Sequence, residues 1–244
     1  MKIQGWVAGI LAFTVAGSAF AAGGDEKLQL GVRLGYALPA GNAYGAQTLS
    51  SGSFAVSTPE LKLSDEVNGQ IPILIEAGYL ITPNLLIGAY GQYGFVSTKD
   101  DCGANCSAHD FRAGIQGQYR FLPFENIDPW VGIGVGYEAL SESGDITDSF
   151  AGQSNSFHYE SSLTGWELFQ LQGGVDFRVA NAFTLGPFAS VSFTEYTRTH
   201  DELDPTPIAV GAAGVQGSPN GDQSLSNKTI HEWVNLGLRG TFGL

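Results

Sequence analysis

Apolar and polar residues alternate one by one over eight stretches of the chain, roughly 28–38, 71–81, 85–97, 111–122, 131–140, 168–179, 183–194 and 233–244. In the first, Leu28, Leu30, Val32, Leu34, Tyr36 and Leu38 share one face, and Gln29, Gly31, Arg33, Gly35 and Ala37 the other. In the sixth, Phe169, Leu171, Val175, Phe177 and Val179 oppose Gln170, Gln172, Gly174, Asp176 and Arg178. Alternation with period two puts successive side chains on opposite faces of a strand. The third and seventh stretches are less regular, with Tyr90 and Phe188 on the polar parity, which leaves room for a bulge there. By the same count Leu74, Leu80, Leu86, Leu168 and Phe188 point with the polar residues. The connections alternate between short (82–84, 123–130, 180–182) and long (39–70, 98–110, 141–167, 195–232). Even strand number, tight turns at one end and long loops at the other predict an all-β fold, an eight-stranded antiparallel up-and-down barrel.

A barrel in water and a barrel in lipid share this alternation turned inside out, so the content of each face decides the solvent. The polar face carries Gly, Gln and Arg rather than the Lys, Glu and Thr of a water-facing sheet. Five of the six arginines (Arg33, Arg112, Arg120, Arg178 and Arg239) fall on it. Small residues interleaved with a few planar guanidinium groups suit a narrow, crowded lumen. The apolar face carries aromatics near both ends. Tyr36, Tyr93, Phe95, Phe111, Tyr137, Phe169 and Phe193 lie toward the long loops, with Tyr79, Tyr119, Phe121, Phe177, Phe183 and Phe242 toward the short turns. Phe169 and Phe177 are eight residues apart. At ~3.3 Å per residue and ~40° of tilt that is ~20 Å of height, close to the ~25 Å apolar band of a membrane barrel. The strands are therefore transmembrane.

The rhythm, together with the last strand Val234-Asn235-Leu236-Gly237-Leu238-Arg239-Gly240-Thr241-Phe242-Gly243-Leu244, resembles the small OmpA/OmpX-type outer-membrane barrels over essentially the whole mature chain. In that family the final strand ends in an aromatic residue read by the barrel insertion machinery. Here Leu244 is last and Phe242 stands two residues before it. The resemblance implies the outer membrane of a Gram-negative-type bacterium, with membrane lipid, lipopolysaccharide and the insertion machinery as partners.

Composition adds compartment and exclusions. Lys2, an apolar run from Trp6 to Val15 and Ala19-Phe20-Ala21 read as an export signal over 1–21, leaving 22–244 as one barrel domain. The net charge of −13 argues against a nucleic-acid partner. Export makes a disulfide the first reading of Cys102 and Cys106, stiffening the tip of the second long loop. No metal or cofactor is expected.

Three places could carry function. The lumen offers Arg33, Glu76, Arg112, Gln116, Gln118, Arg120, Glu138, Gln170, Gln172, Asp176, Arg178 and Arg239. It reads either as a structural polar plug or as a narrow porin-like path, in which five arginines against three acids would favour anions. The long, acidic loops offer a surface for an extracellular ligand. A hydrophobic-solute channel of the OmpW-like type is a further alternative, with Pro187 able to loosen strand pairing. Some outer-membrane barrels are lipid A deacylases or phospholipases that use His, Ser and an acid. The nearest match is His158-Tyr159-Glu160-Ser161-Ser162, which lacks the deacylase His-x-Ser spacing. The sequence reading is therefore non-catalytic.

Overall fold

The computed structural model describes residues 27–51, 54–99, 104–123, 125–150, 153–204 and 221–244. The expected signal, 1–21, lies outside them. So does Cys102, on which the expected pairing with Cys106 depends. In chain order the elements are β1 (Leu28–Tyr44), β2 (Gln47–Ser51), β3 (Phe54–Thr58), β4 (Leu61–Lys62), the single-turn helix α1 (Leu63–Glu66), β5 (Val67–Leu80) and β6 (Leu85–Thr98). They continue with β7 (Ala104–Arg120), β8 (Ile127–Phe150), β9 (Gln153–Ala180), β10 (Phe183–Asp204), β11 (Gly221–Ser224) and β12 (Ile230–Gly243).

Eight of these strands close a ring in the order β1-β5-β6-β7-β8-β9-β10-β12, with β12 returning to β1. Every neighbouring pair in it is antiparallel. Closure leaves no free edge, so each backbone donor and acceptor in the spanning part has a partner without water. The outside of the ring is apolar: Val32, Ile75, Ile115, Ile133, Leu171, Leu236 and Leu238 all face outward and are exposed. The inside holds Arg33, Arg112, Gln116, Glu138 and Arg239 at 2% exposure or less for the charged groups and 3% for the glutamine. A surface of this polarity is at equilibrium only against hydrocarbon.

The strands are much longer than the alternating stretches. β8 has 24 residues and β9 has 28, against about ten needed to span a bilayer. Most of the expected loop 141–167 is therefore strand, paired from Leu140↔Leu163 to Phe150↔Gln153. Part of the expected loop 195–232 is also strand, with β11 added onto β10. These extensions form a turret that continues the barrel wall beyond the membrane. The alternation fades there because both faces of a strand in water tolerate polar residues.

Tyr90 and Phe188 are not bulged. Both are buried at 5% exposure and point into the lumen on unbroken register. The bulges lie elsewhere. In β9 an extra residue sits at Leu168, since Gly134 pairs with Gln170 but Gly136 with Glu167. On the other side Phe193 pairs with Phe169 and Thr194 with Glu167. A second extra residue sits at Thr197 in β10, between the pairs Tyr196↔Gly165 and Arg198↔Thr164. Leu168, expected to face inward, is therefore outward and 42% exposed, while Glu167 takes the lumen at 1%.

At the turret end an apolar cap closes the ring. Leu63 of α1 packs with Ala37, Val67, Leu140, Tyr196 and Trp233, supported at the edge by Val96 and Leu163. The first loop thus folds back into the mouth rather than standing in solvent.

Candidate functional site

Side chains from seven of the eight ring strands meet in a lower lumen layer around Glu76. Arg33 donates to Glu76 Oε2 at 2.5 Å and Arg239 Nε to Glu76 Oε1 at 2.6 Å. Gln116 and Gln118 donate to Oε2 at 2.7 and 3.2 Å. Arg239 also donates to Asp176 at 2.7 Å and to Gln118 at 2.8 Å. Gln172 accepts from Arg33 and donates to Gln116 at 2.8 Å. The indole of Trp130 donates to Asp176 at 3.2 Å and lies 4.4 Å beneath the Arg239 guanidinium. Phe188 flanks Arg33 at 5.3 Å. A buried charge is tolerated when its lone pairs and protons are met by such partners.

An upper layer is built on Arg112. Its Nε donates to Asp110 at 2.9 Å, Nη1 donates to Ser192 at 2.7 Å, and Glu138 lies 3.3 Å away. Glu138 Oε1 accepts from Tyr196 at 2.8 Å and from Trp233 at 3.2 Å, and lies 3.1 Å from His231 Nε2. Tyr90 donates to Glu167 at 2.5 Å. Near the short turns, Arg120 pairs with Asp128 at 2.5 Å. Arg120 and Arg178 line a small opening of about 70 Å³ there with Gln29, Thr184 and Thr241.

The twelve residues singled out in the lumen thus divide among layers. Arg33, Glu76, Gln116, Gln118, Gln172, Asp176 and Arg239 share one, Arg112 and Glu138 another, and Arg120 and Arg178 the rim. Gln170 is buried in the wall between them. Sequence reasoning missed Asp110, Asp128 and Glu167, as well as Trp130, Tyr196, His231 and Trp233. Asp110 and Asp128 keep the parity of Arg112 and Gly132 and needed only longer strands. Glu167 is hidden by the bulge. With these three, six acids face five arginines among the described residues, so the positive lumen expected from sequence is not formed.

Above the membrane the turret carries its own polar contacts. Asp145 accepts from Asn105 at 2.8 Å and lies 2.9 Å from His158 Nδ1. The Asn105 hydrogen bond, and then that of His158, hold its carboxyl below the usual aspartate value. Tyr159 donates to Glu142 at 2.7 Å; burial first, and this bond second, push the phenol up. On the outer face His200 Nδ1 donates to Asp222 at 2.7 Å.

No protein-family model matches the chain, and no curated protein does. Among solved structures, the Neisserial surface protein A is 11% identical over 89% of this chain and 97% of that one, with a TM-score of 0.47. The outer membrane protein AlkL is 17% identical over 93% and 94%, with a TM-score of 0.49. The outer membrane protease OmpT from Escherichia coli is 9% identical over 91% and 98%, with a TM-score of 0.48. Likeness at this level carries no functional argument. The closed ring of eight strands, its apolar outside and its polar inside are the architecture of an outer-membrane β-barrel.

Proposed function

We propose that this is a Gram-negative outer-membrane protein whose lumen is a structural plug and whose working surface is the turret. The observation that carries the reading is the lower layer. Arg33, Glu76, Arg239 and Asp176, contributed by β1, β5, β12 and β9, are joined by ion pairs of 2.5–2.7 Å straight across the barrel. Eight strands leave an interior that side chains fill, and here the apolar cap at Leu63, Tyr196 and Trp233 stands above the network. A conducting path would need these pairs to part, which costs several kcal/mol per charge left unpaired. Planar-bilayer recording of the refolded chain tests this. No conductance step above background is expected, and regular steps would overturn the plug.

A second reading has one observation in its favour. Beside the β9 bulge an apolar cleft of about 530 Å³ opens on the lipid face between Ile115, Val135, Tyr137, Trp166 and Leu168. Its floor includes Gly114 and Gly136, with Glu167 behind them in the lumen. Such a cleft suits sideways release of a small hydrophobic solute into the bilayer, as in an OmpW-like channel. Uptake of an aromatic hydrocarbon by cells with and without the protein separates the readings; equal uptake removes this one.

A further inference from the structure

On the outer face of the turret one row of cross-strand partners holds His109, Ser141, Ser162, His200 and Asp222. Each is directly opposite the next, on β7, β8, β9, β10 and β11 in turn. The two bulges keep this row on one face: strict alternation running through Leu168 and Thr197 would turn Ser162 and His200 inward, whereas Ser141 and His109 face outward on strands that need no such correction. Directly opposed side chains on one face of a sheet have Cβ atoms ~4.5–5.5 Å apart, within reach of a hydroxyl and an imidazole. His200 donates from Nδ1 to Asp222 Oδ1 at 2.7 Å. That bond fixes the tautomer and leaves Nε2 as the basic nitrogen, on a ring flanked on its other side by Ser162. Ser162, His200 and Ser141 line a cavity of about 260 Å³ with His109, Glu160 and Ser143.

We propose that Ser162, His200 and Asp222 are the nucleophile, base and orienting carboxylate of an ester-hydrolysing site on the turret. Such constellations are recognised by geometry and roles rather than by chain order. Ser162 Oγ attacks the ester carbonyl carbon while its proton passes to His200 Nε2. The tetrahedral adduct collapses, the carbon–oxygen bond to the alcohol breaks, and the alcohol leaves with the proton from His200. Water then attacks the acyl-serine, giving its proton to His200. The free acid departs, and the proton returns to Ser162 Oγ. Ser141, directly opposite Ser162 and lining the same cavity, is assigned as donor to the developing oxyanion. His158 is not the base, since it lies four residues from Ser162 along β9, whereas His200 stands directly opposite Ser162.

The substrate class follows from polarity and height. The cavity is lined by hydroxyl, imidazole and carboxylate groups, which offer a fatty chain no apolar surface. Ser162 stands four residues beyond Trp166, or ~13 Å along the strand, above the hydrocarbon core. The site therefore takes a short-acyl ester of a polyhydroxylated alcohol, of the kind a surface saccharide carries. This departs from the non-catalytic expectation and rests on the turret being the working surface.

The test uses the full chain refolded in detergent micelles and treated with a fluorophosphonate, with adducts mapped by mass spectrometry. The label is expected on Ser162 of the unaltered protein. Ser162→Ala should abolish it, and His200→Ala should lower p-nitrophenyl acetate hydrolysis by about 10²-fold or more. With the leaving group held constant, p-nitrophenyl acetate should be hydrolysed faster than p-nitrophenyl octanoate. An unlabelled Ser162 in protein that shows heat-modifiable migration, or equal hydrolysis by protein and variants, overturns the site. Mapping on the unaltered chain keeps the test decisive if a variant fails to fold. Bilayer conductance is scored separately. A silent barrel without esterase sinks the triad alone, while a conducting barrel sinks the plug alone.

Discussion

Glu76 accepts from four side chains on three other strands, Arg33, Arg239, Gln116 and Gln118. Removing one acceptor here orphans four donors at once. Glu76→Ala should lower stability by about 3–5 kcal/mol, the scale for breaking a buried ion pair from one side. Urea unfolding of the refolded protein, followed by the fluorescence of Trp130 beside Arg239, measures it. A loss under about 1 kcal/mol would mean that the layer rearranges around the gap. In the turret Asp145 behaves differently, because it is only partly buried and its effect is local. Its folded value is lowered by Asn105 and His158. The stabilisation it lends is thus complete above the ordinary aspartate value and is lost as pH falls through the lower, folded one. Asn105→Ala should move the Asp145 titration upward in an NMR pH series, and an unmoved midpoint would contradict the assignment. At this scale much was legible: Arg33, Glu76, Gln116 and Arg239 follow from parity alone. What was not legible is how inward residues sort into layers, since that depends on strand stagger, which a linear alternation does not record.

The decisive element is the bulge in β9. Leu168 and Phe169 are both apolar, so either can open the apolar face of β9 and residue type does not say which of them is the extra one. Only the pairing on both sides, Gly136↔Glu167 and Thr194↔Glu167, exposes it. Deleting Leu168 should remove the bulge and leave Glu167 in the lumen and Trp166 on the lipid face, so the heat-modifiable form on gels should persist. Loss of that form would show that the bulge itself is needed for the barrel to close. The glycines beside it follow from close approach. A Cβ on Gly136 would stand 2.6 Å from the Ala113 carbonyl oxygen and 2.7 Å from the Tyr90 hydroxyl. Gly136→Ala should therefore cost about 1–3 kcal/mol through overpacking, read in the same urea titration.

For the molecule as a whole, solvent is the organising fact. Mean hydropathy is only +0.02, yet the apolar residues are gathered on the outside and the charges within. Ile115, 63% exposed on the lipid face, is a site where arginine should cost ~2–4 kcal/mol near the bilayer midplane. The equivalent change at a turret position such as Ser143 should cost under ~0.5 kcal/mol. Equal costs at the two positions would argue against a membrane surrounding. Eight strands, their order and the lipid face could be read from the alternation because hydrocarbon punishes any lapse in it. The turret could not, because in water the penalty for a lapse is small and the pattern is not kept.

The extra residues at Leu168 and Thr197 divide the molecule in a way that neither strand order nor solvent does. Each acts as a phase marker: toward the short turns one reading frame of side chains faces out, and toward the turret the other does. A hairpin transplanted from this chain onto another barrel keeps its outer face only if the joins are matched by pairing register rather than by residue count. Counted across a seam, the same residues arrive inside out. The turret is thus exchangeable as a unit when the joins respect these two seams, one in β9 and one in β10.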